Sequence, residues 1–93
     1  MTAPAVLDPT ATPRRCLGVR IRRVRGELLL GVGPQSLALS DVAELIYTRA
    51  DGSRSLRSIA EEVAREYGIA PEEALVDVGD FVADLVALGV VTC

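Results

Sequence analysis

Histidine, lysine and tryptophan are all missing from this chain of 93 residues, and aromatic side chains number three: Tyr47, Tyr67 and Phe81. Without histidine the commonest general base and a favoured metal ligand are gone. The two cysteines, Cys16 and Cys93, stand far apart, with no CxxC and no Asp, Glu or Cys grouped at ligand spacing. No metal site and no cofactor is expected from such a pattern. Nor is a disulfide, because the N-terminus lacks the basic start and apolar run of a secretion signal. No apolar stretch approaches the roughly 20 residues of a membrane span. Together these absences predict a cytoplasmic protein and argue against catalysis.

What is present is aliphatic. Hydrophobic residues make up 49% of the chain, so with few aromatics the core must be built from Leu, Val, Ile and Ala, a small-grained core suited to helices. Charge is divided unevenly. Residues 1–34 carry six Arg against Asp8 and Glu27, a net +4, whereas residues 35–93 carry four Arg against eleven carboxylates, a net −7. Arg20 and Arg22 read either as the solvated face of a strand that resists edge-to-edge association or as a docking surface for an acidic partner.

Pro4, Pro9 and Pro13 punctuate the first thirteen residues without any apolar period, which predicts a disordered arm over 1–13 and a folded domain over 14–93. Leu17, Val19 and Ile21 then alternate with Gly18, Arg20 and Arg22, the period of a half-buried strand over 16–23. Arg25-Gly26 is a tight connection into Glu27–Val32, a short, nearly continuous apolar run read as a covered strand. After Gly33-Pro34 the run Gln35–Leu39 gives a third strand and completes an antiparallel meander, whose outer strands must be covered, blunted or paired.

From Ser40 the pattern turns helical. Asp41 and Glu44 form a capping-box spacing ahead of Val42, Leu45 and Ile46, and a first helix runs to Arg49. Ser55 caps a second helix with Leu56, Ile59, Ala60, Val63 and Tyr67 on one face, and Gly68 closes it. The third helix, 71–89, begins with Pro71 at its first position and Glu72 and Glu73 where the helix dipole favours carboxylates. At 100° per residue its core stripe is Leu75, Val78, Val82, Leu85 and Val86, opposite Glu73, Asp77, Asp80 and Asp84. One flank carries Ala74, Phe81 and Leu88, the other Val76, Ala83 and Ala87. Apolar residues thus wrap further than the roughly 100° a surface helix needs, leaving one flank spare for a partner. Two readings of Phe81 stand, a core aromatic or the wall of a groove, and the acidic stripe reads equally as a solvated face. Gly79 marks either a close backbone approach or a tolerated helix defect.

Three strands followed by three helices, with the pieces ALSDVAELIY, ADGSRSLRSIAEEVAREYG and the ending LVALGVV, resemble the PqqD-like family, the recognition elements for ribosomally synthesised and post-translationally modified peptides (RiPPs). The resemblance runs from Arg15 to Val91. It implies an α+β fold, a winged helix-turn-helix without catalytic residues, that holds the leader of a precursor peptide for its processing enzymes. The leader adds as a strand beside the third strand and packs on the third helix. On this chain those positions are Gln35, Ser36, Leu37, Ala38 and Leu39, with Ala74, Asp77, Val78, Asp80, Phe81, Asp84 and Leu85 on the helix. The implied partners are a precursor leader peptide and a processing protease and cyclase or other tailoring enzyme, of which the lasso peptide type is favoured. A monomer without nucleic acid or membrane partners is expected. The competing reading is a winged-helix DNA-binding protein. Against it, the last helix presents five carboxylates and no basic residue to the phosphates.

Overall fold

The computed structural model describes residues 7–93. Its elements are β1 (Arg14–Arg15), β2 (Arg20–Val24), β3 (Glu27–Val32), β4 (Gln35–Leu39), α1 (Asp41–Arg49), α2 (Leu56–Tyr67), α3 (Pro71–Ala87) and β5 (Val91–Thr92). The architecture is α+β, an antiparallel meander β2-β3-β4 followed by three helices. The sequence anticipates that order but places the first strand wrongly. Its expected span, 16–23, is cut by a turn at Leu17-Gly18, where Gly18 has φ 85. The residues before the turn serve a different sheet: β1 pairs with β5, and the Cys16 N–H donates to the Val90 carbonyl at 2.9 Å. Alternating apolar residues could not reveal this, because Leu17 is wholly exposed rather than turned inward. The expected third strand is therefore β4.

Both hairpin turns follow from local chemistry. Arg25 and Gly26 adopt φ 54 and φ 80, the left-handed pair of a type I′ turn whose twist matches the flanking strands. At the other end Gly33, at φ 55, precedes Pro34, the residue order of a type II′ turn. The register aligns Ile21, Leu30 and Leu37 across one face and Arg23, Leu28 and Leu39 beside them. Leu28, Leu30 and Leu39 are buried on the helices. Arg23 on that face forms a two-pronged pair with Glu44 of α1, at 2.8 and 3.2 Å. The Glu44 carboxyl is held below its ordinary value by the Arg23 hydrogen bond. β2 is exposed along its length, so the inward packing expected for Ile21 is not realised.

The helices are capped much as their sequences suggest. Ser55 Oγ accepts from the Ser58 N–H at 3.0 Å, and Gly68 closes α2 at φ 66. For α1 the cap is Ser40, which accepts from the Ala43 N–H at 3.3 Å, and not Asp41, which is already the first helical residue. The third helix stops at Ala87, with Gly89 at φ 79 turning the chain into β5.

The arm expected over 1–13 lies partly outside the described residues, at 1–6. Residues 7–13 are tied to the body. The carbonyls of Ala11 and Pro9 accept from the first two N–H groups of α2, Leu56 at 2.9 Å and Arg57 at 3.0 Å. These are donors that a helix cannot satisfy internally, so the segment acts as a backbone cap. The Pro13 carbonyl accepts from Gly52, and its ring is fully buried.

Between α1 and α2 Asp51 accepts from the Ser53 hydroxyl at 2.7 Å and its N–H at 2.9 Å, and from Arg54 at 2.8 Å. The Ser53 bonds, chiefly, lower its pKa from 3.8 to about 2. The folded value lies below the ordinary one, so the stabilisation is complete above pH 3.8 and is lost as pH falls toward 2. Urea titrations of the wild type and Asp51→Asn are expected to differ at neutral pH and converge on acidification.

Along α3 the buried residues are Ala74, Val78, Val82 and Leu85. The core stripe is thus rotated from the expected one toward the Phe81 flank: Ala74 is fully enclosed, while Leu75 is half-buried and Val86 is exposed. An added Cβ at Gly79 would meet nothing within 4 Å, which removes close approach as the reason for glycine. Gly79→Ala is expected to raise stability by about 1 kcal/mol, read as a rise of about 4–8 °C in Tm for a domain of this size.

Candidate functional site

β4 is an edge strand, since the meander ends with it. In an antiparallel ladder hydrogen-bonded and non-hydrogen-bonded pairs alternate. Counting from the Val32–Gln35 pair that flanks the turn, Ser36 and Ala38 direct their N–H and C=O groups away from β3. Among the described residues no other main-chain group bonds there. The C-terminal tail, the nearest candidate to close this seam from within, is engaged with β1 instead.

Beside that edge lie two apolar cavities. One, of about 450 Å³, is lined by Leu37–Val42, Ala43 and Ile46 from β4 and α1, apart from Asp41, by Val63, Tyr67 and Ile69 from α2 and its exit, and by Asp77, Val78 and Phe81 from α3. The second, of about 410 Å³, is lined by Leu37, Phe81, Asp84, Leu85, Ala87 and Leu88. Leu37 and Phe81 belong to both, so the two form one groove with these side chains at the divide. Phe81 is half-buried, packed against the core yet facing both cavities. The flank of α3 that borders the groove is the one bearing Phe81 and Leu88. The other turns away at Val76, which is 61% exposed, and reaches the groove at Ala87, at the end of the helix.

Of the positions inferred from the sequence, Leu37, Ala38, Leu39, Asp77, Val78, Phe81, Asp84 and Leu85 line the groove. Gln35 and Ser36 lie on the same strand without lining either cavity. Ala74 is enclosed in the core and Asp80 faces outward, so neither borders it. Sequence reasoning missed the α1 floor, Val42, Ala43 and Ile46, and assigned Tyr67 to the core. Tyr67 is 43% exposed at the rim. Helical periodicity marks all of these as apolar but does not say which apolar residues a neighbour leaves uncovered.

Asp77 and Asp84 sit two helical turns apart, about 10 Å, along the α3 margin. Apart from these and Ser40, the lining is apolar, aliphatic with the aromatics Tyr67 and Phe81. None of the buried residues is charged, and the buried titratable side chain, the Tyr47 phenol, whose pKa burial raises, lines neither cavity, so among the described residues the groove holds no desolvated acid or base placed for general acid–base catalysis. No group of three potential ligands able to hold a metal occurs among them either, and no described helix is long and apolar enough to cross a membrane.

Residues 28–91 match the family of coenzyme PQQ synthesis protein D (PqqD). The chain is 34% identical, over 88 residues, to a PqqA binding protein of Rhizobium meliloti (strain 1021), spanning 91% of this chain and 90% of that one. It superposes with a TM-score of 0.71 and 26% identity on the solution NMR structure of the PqqD truncation of Methylobacterium extorquens PqqCD, described as a functional, stand-alone RiPP recognition element, over 94% of this chain and 100% of that one. A strand edge beside an apolar groove is thus found in a chain that belongs to the PqqD family.

Proposed function

We propose that this protein binds the leader of a ribosomally made precursor peptide as an additional strand on β4, with alternate leader side chains entering the two cavities beside α3. The observation that carries the reading is the unpaired β4 edge flanked by about 450 and 410 Å³ of apolar space. Strand addition gains affinity from main-chain hydrogen bonds, which any peptide can make, and selectivity from pockets. Leu37 and Phe81, at the divide, set the spacing at which two apolar leader residues fit. Asp77 and Asp84 favour basic or hydrogen-bond-donating residues next to them. The relatives support the reading, one being named for binding PqqA and the other described as a recognition element.

The bound leader leaves the modifiable core of the precursor free for processing enzymes, and the module acts as a monomer that presents it to them. The lasso peptide type, with a protease and a cyclase, is the pathway proposed for it. Titration with labelled leaders of lasso type and of PqqA type, and with a leaderless core peptide, tests the whole reading. A leader should bind with main-chain amide shifts at Ser36 and Ala38, and the core peptide should not. Equal binding of leader and core would remove the proposal, and preference for the PqqA-type leader would reassign the pathway.

A further inference from the structure

The meander has a second open edge. Among the described residues β2 pairs only with β3. Counting from the Val24–Glu27 pair at its turn, the ladder alternation directs the N–H and C=O groups of Ile21 and Arg23 outward. Among the described residues no main-chain group meets them. Next to this edge lies a cavity of about 470 Å³, lined by Leu17, Val19 and Ile21 together with Arg14, Arg15 and Tyr47, among others. It shares no lining residue with the groove beside β4. Leu17 is 100% and Ile21 52% exposed, an apolar rim that isolated surface residues of a meander do not require.

The charge here is the reverse of that on α3. Arg14, Arg20, Arg22 and Arg25 make no ion pair among the described residues. Arg15 donates to the Thr48 and Tyr47 carbonyls at the end of α1, at 2.7 and 3.2 Å. The one carboxylate lining the cavity, Asp51, is held by Ser53 and Arg54. We infer that β2 is a second docking edge, which takes an extended acidic segment of a partner protein in which apolar and acidic residues alternate.

Alternation follows from the pleat. Guest side chains on the helix-facing side lie over Leu17, Val19 and Ile21, and those on the other side lie beside Arg22 and the stem of Arg20, whose guanidinium reaches over Gly31 to donate to the Gly33 carbonyl. A second copy of this chain is a poor occupant, because it would set β2 arginines against β2 arginines, and like charges directly opposite destabilise a pair. Nucleic acid is also a poor fit: the one aromatic lining the cavity, Tyr47, is 2% exposed and offers no free face for base stacking. The two edges lie on opposite sides of the sheet, so guests on β2 and on β4 would run about 19 Å apart, four strand spacings. Both can be filled together. The inference does not depend on what β4 binds.

The test uses the full chain labelled with ¹⁵N and a ten-residue probe alternating Glu with Val and Leu. Beside it are titrated the same peptide with Lys in place of Glu, and a ten-nucleotide oligothymidine. The acidic probe should shift the amides of Leu17, Val19, Ile21 and Arg23, leave Ser36 and Ala38 unmoved, and weaken as salt screens the arginines. Arg22→Glu should cut its affinity about tenfold. Leu17→Ser, a change at a fully solvated side chain that cannot unfold the domain, should cut it severalfold. The inference is overturned by absent binding, by equal affinity for the Lys peptide, by tighter binding of the oligonucleotide, or by shifts confined to β4.

Discussion

Phe81→Ala is expected to weaken leader binding by about 30-fold to several hundred-fold, the loss of about 2–4 kcal/mol typical of a central aromatic anchor. Phe81 is the side chain common to both cavities on the α3 side, so its removal merges them and leaves a guest residue on either side without a wall. Because Phe81 is only half-buried, the fold should lose less than the roughly 3–5 kcal/mol of a fully buried Phe. Isothermal titration of the variant, with its urea midpoint measured in parallel, separates the two effects. A companion substitution isolates the backbone contribution. Ala38 turns its N–H to the open side of β4, where proline removes a donor without breaking the β3 ladder. Ala38→Pro should therefore leave Tm within a few degrees and lower leader affinity about tenfold, the loss of one main-chain hydrogen bond. Unchanged affinity in both variants would place the peptide elsewhere.

Removing residues 90–93 is expected to unfold most of the protein. Val90 and Val91 are adjacent in sequence yet exposed by no more than 1% each, so the tail is covered on both sides. Burial of two valines contributes about 3–6 kcal/mol. The truncation also removes the Val90 N–H bond to Leu85 and the Cys16 bond to the Val90 carbonyl, at 3.1 and 2.9 Å, and leaves β1 without a partner. A domain of this length is stabilised by only about 5–14 kcal/mol. Circular dichroism should show loss of a cooperative thermal transition, or a midpoint lowered by tens of degrees. A conservative control, Val91→Ala, should cost about 1–3 kcal/mol and keep the transition cooperative.

Much of this was legible in the chain. Helix starts at Ser55 and Pro71, the stop at Gly68 and the turns at Arg25-Gly26 and Gly33-Pro34 are local chemistry, and each is where the residues place it. The error at the first strand has a physical cause. Leu17, Val19 and Ile21 alternate as a strand would, but alternation reports only which side chains are apolar, and the partner that claims Arg14–Cys16 is more than seventy residues away. The same holds for α3. Its sequence shows too many apolar residues for one face, and the rotation that buries Ala74 and leaves Phe81 at the groove is set by how α2 and β5 pack against it.

By itself, then, the sequence determined the order of the meander and the three helices, the opposite charges of the two parts, and an apolar excess on the last helix. These depend on residue type and near neighbours along the chain. Only the tertiary structure decided that the tail closes on β1 rather than on the meander, that no described strand pairs with the outer edges of β2 and β4, and that Leu37 and Phe81 line both halves of a divided groove. Those are matters of which surfaces find each other at long range, and a surface left uncovered is defined by contacts that the chain does not make.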